Sequence, residues 1–306
     1  METKVDSPGS SVALPPTAAL DAPRTHVTRK DSERGEIAVR PTIPGLAGQV
    51  AAEFAGTMIL VLFGTGVTAQ VVVGGLGDHD SIAWAWGLGA AMGVWVAGRA
   101  SGAHLNPAVT IALAVFKHFP WRKVLPYSLA QTAGAFVAAL LVRWNYSEVL
   151  AKADPGHTFK TQGVFSTLPG NGVLPVHEWG AFRDQVIGTA ILLFLIMAIT
   201  DTHNSAPAAS AAPIAIGLLV VAICMAWDTD AGCAINPARD FGPRIAEYIT
   251  GYRTAFKDQY GSFYFWVPIV APVVGAVIGA GLYQVLIGRF LQVSKGDEPS
   301  NAIGVC

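Results

Sequence analysis

The sequence predicts an all-α membrane protein in which six transmembrane helices and two re-entrant half-helices form an inverted repeat. Three observations lead there. Charged residues make up only 13% of the 306 residues, against 52% hydrophobic, and the mean hydropathy is +0.45. Six long apolar stretches follow one another along the chain, separated by turn-forming residues. The tripeptide Asn-Pro-Ala occurs twice, each time opening an apolar segment too short to cross a bilayer.

Residues 1–43 are rich in Pro, Ser and mixed charge. That composition buries too little apolar surface to offset the entropy of ordering, so a disordered tail is expected. Spanning helices are expected at about 46–73, 81–99, 122–144, 181–200, 211–228 and 263–288, because a hydrocarbon core of ~30 Å takes ~20 apolar residues to cross. A buried core helix of a soluble protein would explain one such run but not six. From Ser205 to Trp227 the sole ionisable side chain is the thiol of Cys224. Segments 106–117 and 236–249 are helix-like but too short to span. Residues 145–180 mix Gly, Pro and scattered charge, and read as a structured loop outside the bilayer. The membrane domain thus covers 44–290, with a short tail at 291–306. Cys224, Cys233 and Cys306 form no C-x-x-C pair, so no disulfide framework is expected. The polar N-terminus lacks the apolar region of a cleavable signal peptide, which leaves the first span as the insertion signal. A net charge of −1 and the lack of a basic stripe or an aromatic RNA-binding motif argue against a nucleic-acid partner.

Orientation follows from Lys and Arg beside the spans. The side holding both termini collects Lys4, Arg24, Arg29, Lys30, Arg34, Arg40, Arg99, Lys117, Arg122, Lys123, Arg289 and Lys295. The other collects fewer: Arg143, Lys152, Lys160, Arg183, Arg244, Arg253 and Lys257. Cytoplasmic termini are expected. The chain also repeats itself. Ala52-Glu53-Phe54-Ala55-Gly56-Thr57 opens the first span and Asp184-Gln185-Val186-Ile187-Gly188-Thr189 opens the fourth. Gln131-Thr-Ala-Gly134-Ala in the third span echoes Pro272-Val-Val-Gly275-Ala in the sixth. With three spans per repeat (about 46–144 and 181–288), the two halves must enter the membrane from opposite sides.

One Asn-Pro-Ala is an ordinary turn opener; two at equivalent places of an inverted repeat are a specific signal. Asn106 and Asn236 are strong N-cap residues. Pro107 and Pro237 suit the first helical position, where a missing N–H costs nothing, and Ala108 and Ala238 follow. Inversion then lets the half-helices meet N-terminus to N-terminus near the midplane. Irregular backbone at that depth is tolerated only when buried in protein or lining a wet cavity, so carbonyls of Gly102, Ala103, His104, Gly232 and Ala234 are expected to line a pore. Gly98, Gly102, Gly134 and Gly275 are expected to permit close helix packing. Two helix origins carry about +0.5 charge each, which repels a cation or hydronium but not a neutral hydroxyl compound, to which the Asn106 and Asn236 amides can donate. Arg239 adds a full charge, and an intramembrane Arg is a functional hypothesis by default. The bland alternative is a structural ion pair with Asp240.

Ser101–Thr110 (SGAHLNPAVT) and Gly232–Arg244 (GCAINPARDFGPR) resemble the two signature loops of the major intrinsic protein, or aquaporin, family, and the resemblance covers about residues 46–290. It implies an aquaporin-like fold and a homotetramer with one pore per subunit. Asp240 after the second Asn-Pro-Ala-Arg is similar to the glycerol-facilitator branch, as are the 145–180 loop and the Arg253–Ser262 insertion. The implied function is a passive plasma-membrane channel for glycerol, water and similar solutes, without catalytic residues, cofactor or metal. By position, the implied selectivity filter is Trp86, Cys224, Cys233 and Arg239. Water-only relatives usually carry His at the place of Cys224, and glycerol facilitators carry a second aromatic at that of Cys233. Losing that aromatic removes half of an apolar wedge and puts strict glycerol preference in question; a thiol there suggests block by mercurials.

Other residues carry competing readings. Glu53 is a proton-relay acid or a buried anchor; the resemblance favours an anchor for re-entrant-loop N–H groups, with a neutral Gln185 in the second half. His104 lacks clustered partners, so a loop-bracing hydrogen bond outranks a metal or catalytic role. Asn145-Tyr-Ser147 fits a glycosylation sequon by chance, and Trp84, Trp95, Trp144, Trp179 and Trp266 suit a membrane-interface belt. The rival from another class is a secondary transporter, which also uses inverted repeats and broken helices but requires a coupling-ion or proton site. A water-selective channel is the rival within the class.

Overall fold

The computed structural model describes residues 44–291; the two predicted tails, apart from Leu291, lie outside the described residues. Ten helices follow in order: α1 Leu46–Gly74, α2 His79–Ser101, α3 Pro107–Phe116, α4 Trp121–Asn145, α5 Ser147–Ala153, α6 Phe159–Gln162, α7 Glu178–Thr200, α8 Ala212–Ala226, α9 Pro237–Ile249 and α10 Val267–Leu286. Among the described residues the only strand-like pairing is the Lys257–Phe263 bridge in the predicted insertion. Asp78 and Ser81 close a reciprocal capping box on α2, while Gly75 and Gly102 end α1 and α2 in the left-handed conformation.

Five helices, α1, α2, α4, α7 and α10, are long and apolar enough to span. The fifth expected span departs from this pattern: α8 holds 15 residues, about 22 Å at 1.5 Å per residue. The expected stretch 211–228 is cut short because Trp227 leaves helical geometry and Asp228 is committed to a tight turn, its carbonyl taking the Gly232 N–H at 2.9 Å and its carboxylate the Cys233 N–H at 2.6 Å. Likewise α10 starts four residues later than expected, since Phe263 pairs with Lys257 and the Tyr264 N–H bonds the Phe256 carbonyl.

Close packing obeys the repeat. A Cβ on Gly134 of α4 would lie 2.3 Å from the Phe54 carbonyl of α1, and one on Gly275 of α10 would lie 2.3 Å from the Val186 carbonyl of α7. Between α2 and α8, Gly87 and Gly217 face each other's carbonyls in the same way. Gly98 has open space around it and Gly102 serves as a cap, so neither makes the close approach expected of it. The half-helices cross over: α3 packs on α10 of the other half, and α9 on α4, where Gly242 sits against the Thr132 carbonyl. The outer faces are apolar, with Leu88, Leu125, Leu129 and Ile278 exposed together with Trp84, Trp95, Trp144 and Trp179. Trp179 also meets Trp266 edge to face.

Candidate functional site

The site is built where α3 and α9 begin. Asn106 caps α3, its Oδ1 accepting from the Ala108 N–H at 2.8 Å. Asn236 caps α9 by accepting from Ala238 at 3.0 Å and Arg239 at 3.3 Å. Each amide also reaches across to the other half: Asn106 Nδ2 donates to the Ile235 carbonyl at 2.8 Å, and Asn236 Nδ2 to the Leu105 carbonyl at 2.8 Å. Opposed origins, expected from inversion, are thus tied directly together. One N–H of each amide remains for the lumen, since an NH₂ group carries two donors.

The residue before each Asn is strained in the same way. Leu105 has φ 52° and Ile235 φ 42°, a left-handed conformation that apolar side chains rarely adopt. What holds them there is the predicted anchor pair. The Glu53 carboxyl group, fully buried, accepts from Leu105 N–H (2.7 Å), His104 N–H (2.9 Å), Ser101 Oγ (2.5 Å) and Gln131 Nε2 (2.7 Å). Gln185 accepts from Ile235 N–H (2.7 Å) and donates to the Gly232 carbonyl (2.6 Å). The Gly232 carbonyl also takes the Ala234 N–H at 2.9 Å, so its lone pairs are largely engaged within the loop. His104 packs against Phe119 and Tyr127 and shares a 3.1 Å hydrogen bond with Thr110 Oγ1.

Two cavities adjoin beside Arg239, and the paired origins line the first of them. One, of about 350 Å³, is lined by Gly102–Asn106 and Ala234–Asn236 together with apolar residues such as Leu60, Val109, Leu192 and Val220. The second, of about 240 Å³, is more polar, with His79, Lys160, Ser166, Thr167, Asp228 and Gly232 in its walls. The residues that border both are Trp86, Cys224, Cys233 and Arg239. Here the Arg239 guanidinium lies over the Trp86 ring, 3.8 Å from its centroid, and Nη1 donates to the Phe165 carbonyl at 3.1 Å. Its Nε finds no acceptor among the described residues.

Cys224 and Cys233 are joined by a disulfide, with Cα atoms 5.3 Å apart. This corrects the expectation of unpaired thiols. Nine residues apart and without a recognisable spacing, they meet because the 228–232 turn folds the pore loop back onto the end of α8.

Asp240 does not pair with Arg239. It binds Arg244 Nε at 2.5 Å, one helical turn on, and accepts from Thr167 N–H at 2.8 Å and Thr167 Oγ1 at 2.7 Å. Arg244, fully buried, also donates to the Ala255 carbonyl at 2.6 Å and to the Thr167 carbonyl. Glu247 accepts from Ser166 Oγ at 2.7 Å. This network pins residues 165–167 of the outer loop over α9, and with them the carbonyl that holds Arg239. Sequence reasoning missed Phe165, Thr167, Glu247 and Asp228. Only the Asp240–Arg244 pair had a signal, its i,i+4 spacing.

The model of the family described as major intrinsic protein matches residues 42–283. The chain belongs to the major intrinsic protein family. This major intrinsic protein is 43% identical over 243 residues to aquaglyceroporin-2 of Rhizophagus irregularis, covering 77% of this chain and 76% of the relative. It is 43% identical over 258 residues to the glycerol uptake facilitator protein of Pseudomonas aeruginosa, covering 81% and 91%. The X-ray structure of the aquaglyceroporin from Plasmodium falciparum superposes with a TM-score of 0.73 at 32% identity, covering 81% of this chain and 99% of that one. The fold is accordingly that of a multi-pass membrane protein of this family, with the half-helices in place.

Proposed function

We propose that the chain is a passive channel for glycerol and other small uncharged solutes, with water, that excludes ions and protons. Its selectivity filter in this reading is Trp86, Cys224, Cys233 and Arg239. The observation that carries the proposal is the pair of cavities that share those four residues, lined by a cation, by the irregular backbone before each half-helix and by apolar side chains. A polyol has the matching pattern. Its hydroxyls accept from Arg239 and the Asn amides and donate to carbonyls of Gly102, Ala103, His104 and Ala234, while its carbon edge runs along the apolar wall.

Exclusion of charge follows from the same atoms. An Asn amide whose oxygen is consumed by its helix cap offers the lumen only N–H. A water between Asn106 and Asn236 must accept from both, so its own protons point away and a proton wire is interrupted. Two helix origins and a buried guanidinium oppose a cation in a site where desolvation is already costly. Glu53, whose two oxygens accept from four donors, is occupied as an anchor. Passage down a gradient calls for no bond making, which fits a channel and not an enzyme. A plasma-membrane location with both termini cytoplasmic is supported by the Lys and Arg bias, and a homotetramer by family kinship.

The test is reswelling of proteoliposomes in a panel of glycerol, urea and longer polyols, comparing wild type with Cys233→Phe. Wild type is expected to pass glycerol without a proton or sodium gradient and to admit larger solutes than Cys233→Phe. Coupled uphill uptake, steady ionic current, or water flux without glycerol entry would each reject the reading.

A further inference from the structure

We propose that the Cys224–Cys233 pair is a solute-facing redox site that sets the aperture of the channel: open as the disulfide, constricted as two thiols. This rests on the filter reading above. Both cysteines border both cavities, so any reagent small and neutral enough to use the pore passes the sulfurs. The pair joins the end of α8 to the loop before α9, the two segments that bound one side of the constriction.

The direction of the change follows from what surrounds the sulfurs. Bonded sulfurs sit well inside the contact distance of two separate thiols, so reduction forces them apart. Away from the cavities there is little room, because both cysteines are buried in the packed core with Leu219 and Ile223, neither of which lines a cavity. The backbone cannot yield either. The Cys233 N–H is held by the Asp228 carboxylate at 2.6 Å, and the neighbouring Gly232 carbonyl is held by Gln185. The remaining free direction is the lumen, opposite Trp86 and Arg239. Reduction therefore turns a thiol into the junction of the two cavities.

The chemistry balances in both directions. A neutral dithiol reductant transfers two electrons and two protons, leaving as its own cyclic disulfide while Cys224 and Cys233 become thiols. For the return, one cysteine sulfur attacks a hydrogen peroxide oxygen, the O–O bond breaks, and water leaves with formation of a sulfenic acid. The second thiol attacks that sulfur and releases a second water, restoring the disulfide. Hydrogen peroxide is itself a small neutral hydroxyl compound, of the class the pore is proposed to admit.

The experiment uses the full-length protein in liposomes, reading glycerol and water flux before dithiothreitol, after it, and after removal and addition of hydrogen peroxide. Peptide mass mapping reports the state of Cys224 and Cys233 at each stage. Reduction is expected to lower glycerol flux about tenfold, the effect of ~1.4 kcal/mol added to the barrier. Peroxide should restore it together with the disulfide, and Cys224→Ser/Cys233→Ser should respond to neither reagent. Because one wild-type preparation is cycled, a folding defect in the variant does not decide the outcome. Complete reduction with unchanged flux, an equal response in the double variant, or a pair that stays bonded in dithiothreitol or never bonds in peroxide would each overturn the proposal. Trp86→Ala separates the two readings. If it changes solute selectivity while cycling does nothing, only the redox site is lost; if it too changes nothing, the filter assignment fails as well.

Discussion

Glu53 offers the sharpest test of how the pore is held together. In Glu53→Ala the N–H groups of His104 and Leu105 lose their acceptor, while the Ser101 hydroxyl and the Gln131 amide fall back on the Ala97 carbonyl and Thr110 Oγ1. An orphaned buried donor costs about 1–3 kcal/mol. Even the low end, roughly 2 kcal/mol for the two together, is a sizeable part of the 5–15 kcal/mol by which proteins are typically stable. Water entering the vacated space reduces the loss but cannot hold Leu105 at positive φ. Glu53→Gln is predicted to be milder. An amide oxygen replaces one carboxylate oxygen, and the Gln131 amide can turn its Oε1, which has no partner among the described residues, toward the new NH₂ group. One backbone N–H is then left unpaired, a loss of about 1–3 kcal/mol. Fluorescence-detected thermal unfolding in detergent measures the ranking, and reswelling in glycerol measures the consequence for the lumen. The reasoning fails if Glu53→Ala unfolds with wild type and conducts like it, or if Glu53→Gln is the more damaging change.

Further outcomes follow from the same geometry. Gly64→Ala places a Cβ 2.2 Å from the Trp86 ring, so the indole must shift toward Arg239; a lower glycerol-to-water flux ratio is expected, together with an overpacking cost of about 1–3 kcal/mol. Gly279→Ala puts a Cβ 2.0 Å from the Ala190 carbonyl and should lower thermal stability without altering solute ranking. In the outer loop, burial alone pushes the Asp154 carboxyl up, but hydrogen bonds from Thr161 and Thr158 outweigh it and its pKa lies below the usual aspartate value. A depressed folded pKa means that its contribution is complete above about pH 4 and lost as pH falls through the lower folded value. Pepsin cleavage of the 145–180 loop should therefore rise with acidification, and Asp154→Asn should lack that acid step. Mercurial block should be weak in untreated protein and strong after reduction, because the disulfide leaves no thiol at Cys224 or Cys233.

Much of this architecture was legible because inversion and helix capping are local chemistry written in short words. Asn106-Pro107 and Asn236-Pro237 fix where helices begin, and Gly134 and Gly275 mark where backbones touch. Glu53 and Gln185 stand at matched distances from the loops they hold. What escaped depends on residues brought together by tertiary folding. Phe165 contributes a carbonyl, which every residue has, so nothing in its side chain marks it as the holder of Arg239. Cys224 and Cys233 lie on different elements, and their pairing is decided by a turn at Asp228 whose sequence, Asp-Thr-Asp, reads as ordinary loop. The shortness of α8 was hidden for a related reason: Trp227 continues the apolar run in composition while the backbone has already left the helix.

The crossing of the half-helices bears on how such a chain can be assembled. Because α3 finds its packing partner in α10, and Asn106 its acceptor in Ile235, the first half released from a ribosome carries a polar helix origin with nothing to bind. Neither half is a finished module that later docks. The two must interlock, so separate fragments divided in the 201–211 connection are expected to be degraded alone and to recover transport only when made together in the same membrane.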